Sequence, residues 1–450
     1  MDLNNKRVLV VGLGRSGVAS ALFLQSHGAK VTVSDSKPQD QLRQEIPVLL
    51  DHGIAVETGR HGERTFQNQD LIVVSPGVPV DAQPLAQARA LGEQVIGEVE
   101  LAAAFLTGPV VAITGSNGKT TTTTLVGEIL AKAGFETLVG GNIGTPAISL
   151  VEKATPGTVT VLEVSSFQLE TIHAFRPRVA VVLNVTPDHL DRHRTFEAYA
   201  AAKARVFENQ QEQDFAVLNA DDPTCVSMAA SIKAQVFWFD RKREVDQGAF
   251  VRQGTVHLRR EGREHEIMPV SEIPLKGAHN VENVLAAICT AELMGSPPDV
   301  IRSAVREFKA VEHRLQYVAT VRGVEYYNDS KATNVDATIK ALESFPGKIH
   351  LILGGKDKGS DYTVLNGLLR ERVKYVYTIG AAAEKIQKHI AGATKIVSSG
   401  TLDNAVTQST ANAQTGDIVL LAPACASFDQ FQNYEHRGSV FKELVLALPK

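Results

Sequence analysis

Residues Val110 to Thr120 constrain the fold more than any other stretch of the chain. Val110–Thr114 is a short apolar run that reads as a buried strand, and Gly115-Ser116-Asn117-Gly118-Lys119-Thr120 leads from it into the helical pattern Leu125 to Ala133. A strand that turns through glycines into a helix leaves amide groups aimed at whatever sits above the turn. Gly115 and Gly118 let the backbone approach phosphate oxygens, Lys119 adds positive charge, and the Thr120 hydroxyl suits Mg²⁺. The stretch predicts a phosphate cradle for ATP in a parallel α/β sheet. It is a variant of the usual phosphate loop, because Ile113 stands where the first glycine would fall.

The 450 residues exceed one ordinary core and suggest about three domains. With 44% hydrophobic and 21% charged residues the composition is globular, and a net charge of -4 provides no nucleic-acid footprint. Cys225, Cys289 and Cys425 are widely spaced and odd in number, which argues against a disulfide framework or a structural zinc site and fits a reducing cytoplasm. The chain opens on a charged stretch and then a strand rather than on a signal segment, and no apolar run reaches membrane-spanning length. A soluble, unprocessed cytoplasmic protein is expected.

Three α/β units follow from the order of apolar runs. Strands at Val8–Val11 and Lys30–Ser34 flank a helix from Val18 to Ser26, and Gly12, Gly14 and Gly17 form G-x-G-x-x-G ahead of Asp35. Alone, that opening reads as a nucleotide site with NAD as the default ligand. Leu71–Val74 runs into the turn Ser75-Pro76-Gly77, and the unit closes at residue 97. The second, residues 98–311, carries the phosphate loop and strands at Val159–Val164, Val179–Asn184 and Phe215–Asn219. Its alternating segment Val236–Ile267 predicts a small antiparallel β appendage before a helix near Asn280. The third, residues 312–450, has strands at Glu325–Tyr327, Ile349–Leu353, Tyr375–Ile379 and Ile418–Leu421. The expected class is α/β in three domains: an N-terminal Rossmann-like unit, a central mononucleotide-binding parallel sheet, and a C-terminal Rossmann-like unit.

Glu163 ends a strand close to the phosphate loop and offers a carboxylate to Mg²⁺, or to water. Asp188, His189, Asp191 and His193 fall within six residues, a density that suits metal or phosphate coordination. Lys203, on an alanine-rich helix, reads by itself as a surface lysine lying along its own helix. Asn328-Asp329-Ser330-Lys331-Ala332-Thr333-Asn334 opens the third unit at a helix start, where capping explains Asp329 or Ser330 but not Lys331 and Thr333. Gly354-Gly355-Lys356-Asp357-Lys358 adds a second anion-friendly turn, and Arg314 reads as either a phosphate contact or a surface residue.

Taken in order, these motifs resemble the ATP-dependent Mur ligase family over nearly the whole chain. Gly-Ser-Asn-Gly-Lys-Thr, Leu-Glu-Val-Ser-Ser-Phe-Gln-Leu, Asn-Val-Thr-Pro-Asp-His-Leu-Asp-Arg, His279-Asn280-Val-Glu-Asn283 and Glu312-His-Arg314 are the general marks of the family. Asn-Asp-Ser-Lys-Ala-Thr-Asn and the run from Pro423 to Gly438 point to its D-glutamate-adding branch.

The resemblance implies ligation of D-glutamate to UDP-N-acetylmuramoyl-L-alanine, driven by ATP through an acyl phosphate, in a monomer. It moves the glycine-rich opening from NAD to the uridine diphosphate, with Arg15, Ser16, Asp35, Ser36, Lys37, Ser75 and Gly77 at that site. Lys37 stands where the family carries arginine, a point charge in place of a fork. Asn142 and His189 would contact the muramoyl substrate. Gly115, Ser116, Asn117, Gly118, Lys119, Thr120, Thr121, Asn280, Asn283, Arg314 and Asp329 would bind ATP. Lys331, Thr333, Lys358, Ser427, Phe428 and Tyr434 would hold D-glutamate. Thr120 and Glu163 would serve one Mg²⁺; His189 and Lys203, the latter as a CO₂-derived carbamate, would serve a second. Lys119, Glu163, His189 and Lys203 are then the catalytic set. An NAD-dependent oxidoreductase leaves the phosphate loop unexplained, a folylpolyglutamate-type ligase lacks the opening unit and the Pro-Ala-Cys-Ala-Ser segment, and a non-catalytic ATP binder leaves Glu163, His189 and Lys203 without a task.

Overall fold

The apolar runs become the central strands of three sheets in the computed structural model, which describes residues 1–309 and 311–449. Val8 to Val11 are fully buried, as expected of a strand covered on both faces. They occupy the middle of a five-stranded parallel sheet of order Ala55–Thr58, Lys30–Asp35, Arg7–Val11, Leu71–Val74 and Val95–Gly97. The helix Arg15–Ser26 follows the first strand, and the turn between them closes tightly. A Cβ on Gly17 would sit 1.8 Å from the Gly12 carbonyl oxygen, so only glycine lets the helix start this near the strand end.

The second sheet has nine strands, in the order Arg263–Pro269, Thr255–Arg260, Gly248–Arg252, Gln235–Asp240, Phe215–Asn219, Val179–Val182, Val110–Thr114, Val159–Glu163 and Thr137–Gly141. Val110–Thr114 therefore lies between the strands that lead to Glu163 and to Asn184. Register sets Ile113 beside Glu163 and Thr114 beside Val182. The expected appendage is corrected here: Gln235–Asp240 and Gly248–Arg252 continue the main sheet in parallel, and only the last two pairings, of Thr255–Arg260 with Gly248–Arg252 and with Arg263–Pro269, are antiparallel. Alternation reports that one face is covered, as Phe237 and Phe239 are, and carries no information on the direction of the neighbouring strand.

The third sheet runs Gln316–Val321, Val324–Asn328, Ile418–Leu421, Ile349–Gly354, Val373–Ile379 and Lys395–Gly400, with only the first strand antiparallel. The loops after Asn328, Gly354 and Leu421 leave the carboxyl ends of three adjacent strands, where open α/β sheets bind ligands. Contacts divide the chain into two compact units. One holds the first two sheets; the other holds the third sheet with residues 186–191 and 270–282. Among the described residues no helix is long and apolar enough to cross a membrane.

Gly17→Ala should cost about 3 kcal/mol or more, because backbone rather than a mobile side chain must yield. A lower melting transition by calorimetry is the expected result.

Candidate active site

The turn that follows Val110–Thr114 is shaped for an anion. Gly118 takes φ +85° and caps the helix Lys119–Lys132, and a Cβ there would lie 2.1 Å from Oδ1 of Asn283. The glycine thus brings the helix start against a residue expected to bind nucleotide. Lys119 folds back over the loop, its Nζ donating to the carbonyls of Gly115 at 2.9 Å and Ser116 at 2.8 Å. The Asn117 amide donates to Asn184 Oδ1 at 2.8 Å, and Asn184 Nδ2 returns a bond to the Asn117 carbonyl at 3.1 Å. Thr121 is buried in the first helical turn.

Sheet register carries Glu163 to the same turn. Thr120 Oγ1 donates to Glu163 Oε2 at 2.7 Å and Asn142 Nδ2 donates to Oε1 at 2.8 Å, while Glu163 is 1% exposed. Magnesium takes few protein ligands and completes its shell with phosphate oxygens and water. A hydroxyl and a carboxylate in contact beside a phosphate turn fit that ion. Among the described residues no group of three His, Cys, Asp or Glu side chains forms a metal cage.

Lys203 is not the surface residue that its local sequence suggests. It is 1% exposed, its Nζ donates to the Gly115 carbonyl at 2.8 Å, and it lies 4.6 Å from the centre of the Tyr199 ring. The helix Phe196–Ala204 presents Tyr199 and Lys203 one turn apart on one face. The Tyr199 hydroxyl lies 3.0 Å from Ser116 Oγ, so the helix grips the phosphate loop at two points.

In the opening sheet, Asp35 Oδ2 accepts from the Leu13 amide at 2.7 Å and Oδ1 from the Lys37 amide at 2.8 Å. One carboxylate oxygen braces the glycine turn and the other caps the loop after Asp35. Ser75 Oγ donates to the Gly12 carbonyl at 2.9 Å and joins the two turns. Arg15, Ser36, Lys37 and Gly77 are exposed around this edge, and Ser16 is half-buried.

The second compact unit carries the other expected residues. Asp329 is buried beside Arg314 and accepts from the Leu315 amide at 3.3 Å. Burial pushes its carboxyl up to about 7, with Arg314 and the amide pulling the other way. Lys331 Nζ stands 3.7 Å from the centre of the Tyr434 ring. Asp188 accepts from Asn334 Nδ2 at 2.9 Å and lies 3.8 Å from Lys358 Nζ, and the neighbouring His189 takes φ +54°. Asn280 donates to the Lys276 carbonyl at 2.7 Å. Thr333 is half-buried, Ser427 is buried and Phe428 is 67% exposed.

Within the stretch from Asp188 to His193, His193 has partners of its own. His193 Nε2 lies 3.0 Å from Ser166 Oγ and Nδ1 lies 3.4 Å from Glu170, with its ring stacked on Phe167. Asp191 is exposed. Asp188 and His189 do meet, with His189 Nε2 3.6 Å from Asp188 Oδ2.

Several contributors escape a reading by residue type. Tyr199 had a signal, its spacing of four from Lys203. Asn184 had its place at a strand end. Arg437, 1% exposed, donates to Ser330 Oγ at 2.9 Å, the Ser330 carbonyl at 2.8 Å and the Cys425 carbonyl at 3.2 Å, and so ties together the two loops expected to hold D-glutamate. No local pattern distinguishes it from a surface arginine.

Comparison with known proteins finds matches along nearly the whole chain. Residues 6–97 match the model of the Mur ligase MurD-like N-terminal domain, 113–291 the Mur ligase middle domain, and 313–425 the Mur ligase glutamate ligase domain. The chain is 66% identical to a UDP-N-acetylmuramoylalanine--D-glutamate ligase of Koribacter versatilis (strain Ellin345), over 99% of this chain and 98% of the relative. It is 59% identical to the protein of the same name from Acidobacterium capsulatum, over 99% and 97%. Among solved structures, a MurF ligase from Thermotoga maritima in complex with ADP shares the fold with a TM-score of 0.62 at 18% identity, covering 99% of both chains.

The raised Asp329 carboxyl makes a signed prediction. The native state binds a proton there that the unfolded chain has released, so this group's contribution to stability falls as pH rises from about 4 to about 7. Asp329→Asn should remove that slope, read as the difference between wild-type and variant melting temperatures across the range.

Proposed function

Because the chain belongs to the Mur ligase family, we propose that it joins D-glutamate to UDP-N-acetylmuramoyl-L-alanine, consuming ATP through an acyl phosphate, in peptidoglycan precursor synthesis. One observation carries the chemistry: Lys119 and the Thr120–Glu163 pair converge on a glycine turn at a helix start. The names borne by relatives of high identity carry the choice of substrates.

The substrate's terminal alanyl carboxylate attacks the γ-phosphorus of ATP. A carboxyl O–P bond forms as the bridging bond to the β-phosphate breaks, and ADP leaves. Lys119 offsets charge on the transferring group, and the loop amides hold the phosphates. The D-glutamate amine, having shed a proton, then attacks the acyl carbon and expels inorganic phosphate. When bound, Mg²⁺ at Thr120–Glu163, and at His189 with a carbamate on Lys203, would neutralise phosphate charge. As a carbamate Lys203 would be an anionic ligand, whereas its ammonium would repel the metal.

Asn142 and His189 orient the muramoyl part, and Arg15, Ser16, Asp35, Ser36, Lys37, Ser75 and Gly77 the uridine diphosphate. Asn280, Asn283, Arg314 and Asp329 take the ATP nucleoside; Lys331, Thr333, Lys358, Ser427, Phe428 and Tyr434 take D-glutamate. No side chain is needed as a covalent nucleophile. Cys425, inside the amino-acid motif, is buried, and burial pushes its thiol up to about 11 and keeps it protonated, while the Tyr362 hydroxyl 3.0 Å away pulls the other way.

Phosphate release with ATP, Mg²⁺, UDP-N-acetylmuramoyl-L-alanine and D-glutamate should vanish when any one is omitted. Equal turnover with L-glutamate, or without the sugar nucleotide, contradicts the assignment. Lys119→Ala should lower kcat by about 10³ or more, as loss of a group that stabilises transition-state charge does. Lys203→Ala should be similarly impaired and regain part of its rate with added short carboxylates; no rescue at any concentration would count against the carbamate.

A further inference from the structure

Glu98 opens the helix Glu98–Ala103, is 1% exposed, and lies outside every role assigned above. Its Oε1 accepts from the Ile148 amide at 2.7 Å, while its equally buried Oε2 has no hydrogen-bond partner among the described residues. Burial pushes this carboxyl up to about 7; the amides of Ile148 and Ala147 and the Gln168 side chain act in the opposite direction. Other titratable groups on the elements around it are engaged elsewhere or face solvent. Glu100, on the same helix, accepts from the amides of His173, Ala174 and Phe175. Glu170 pairs with Arg192 and His193. Arg15, Glu152 and Lys153 are exposed.

Ala147 and Ile148 begin the 3-10 segment Ala147–Lys153, whose first amides have no partner within the segment. Directly before it comes the turn bearing Asn142. That turn is tied to Glu163 twice, by the Asn142 amide to the Glu163 carbonyl at 2.8 Å and by Nδ2 to Oε1 at 2.8 Å. On its other side Glu98 lies in a tightly packed cleft with Ser75, Phe167, Gln168 and Thr171, where Ser75 comes from the turn of the opening sheet. A single buried carboxylate thus touches the anchor of the Asn142 turn and the wall leading to Ser75.

We propose that Glu98, as a carboxylate, is a positioning residue that holds the Asn142 turn against Glu163 and so sets affinity for the sugar-nucleotide substrate. A charged acceptor binds the segment's first amides more strongly than a neutral one. Loss of the charge loosens the turn. The inference rests on the substrate reading above, which puts the muramoyl part at Asn142.

The test compares wild type with Glu98→Gln from about pH 6 to about pH 8.5. Wild-type KM for UDP-N-acetylmuramoyl-L-alanine should rise as pH falls through neutrality. In the variant it should be about tenfold higher at the alkaline end and flat with pH, with KM for D-glutamate unchanged. Amide hydrogen exchange of residues 141–150, which needs no turnover, should be faster in the variant. Removing a buried charge relieves strain above neutral pH, so Glu98→Gln should melt no lower than wild type at about pH 8.5. The proposal is overturned by a wild-type KM flat across the range, by a variant with wild-type KM and exchange, or by a variant that melts lower or fails to fold. Absence of turnover in wild type would instead reject the substrate reading and leave the exchange experiment to decide the role of Glu98.

Discussion

Two lysine ammonium groups share one acceptor, the carbonyl of Gly115: Lys119 at 2.9 Å and Lys203 at 2.8 Å. Two like charges drawn to one oxygen repel each other. The fold imposes that proximity. Lys119 is fixed by the first turn of its helix, and Lys203 by the buried face of a helix whose Tyr199 reaches Ser116. An anion above the turn relieves the repulsion, as does conversion of one lysine to a carbamate. The same turn is therefore suited both to phosphate and to modification of Lys203.

The sheets deliver the remaining groups. In the central sheet, parallel register sets Glu163 level with Ile113, one strand away from the phosphate turn, and the next strand on the other side ends near Asn184. Glu163 meets Thr120 and Asn142 because three neighbouring strands end at one edge. In the third sheet, the loops after Asn328, Gly354 and Leu421 share an edge in the same way, and the buried Arg437 joins the first of these loops to the last. A Lys331–Tyr434 contact then forms between residues a hundred positions apart.

Strand runs covered on both faces, such as Leu71–Val74, Phe215–Asn219 and Ile418–Leu421, were legible to the residue, because their buried cores are runs of apolar side chains. Short or half-polar strands such as Ala55–Thr58, Thr137–Gly141 and Lys395–Gly400 carry no such run, and they form because a neighbour offers its backbone. The edge from Gln235 to Pro269 was legible as strands but not as part of the main sheet, since alternation says nothing of direction. The nearness of Glu163 to the phosphate loop was legible from the order of strands, whereas Asn142 entered only through the family resemblance. Lys203 shows the limit: an alanine-rich helix with one lysine looks the same whether that lysine faces solvent or a buried carbonyl. His193 shows the converse, a residue of suggestive type turned by its helix toward Ser166 and Glu170.

The central claim is that a substrate carboxylate takes the γ-phosphate before the amine arrives. Isotope transfer tests it most directly. With the terminal alanyl carboxylate of the sugar nucleotide labelled with ¹⁸O, turnover with ATP and D-glutamate should place one ¹⁸O atom from that carboxylate in the released inorganic phosphate, visible by ³¹P NMR. Phosphate free of label, with amide product formed, would contradict the account.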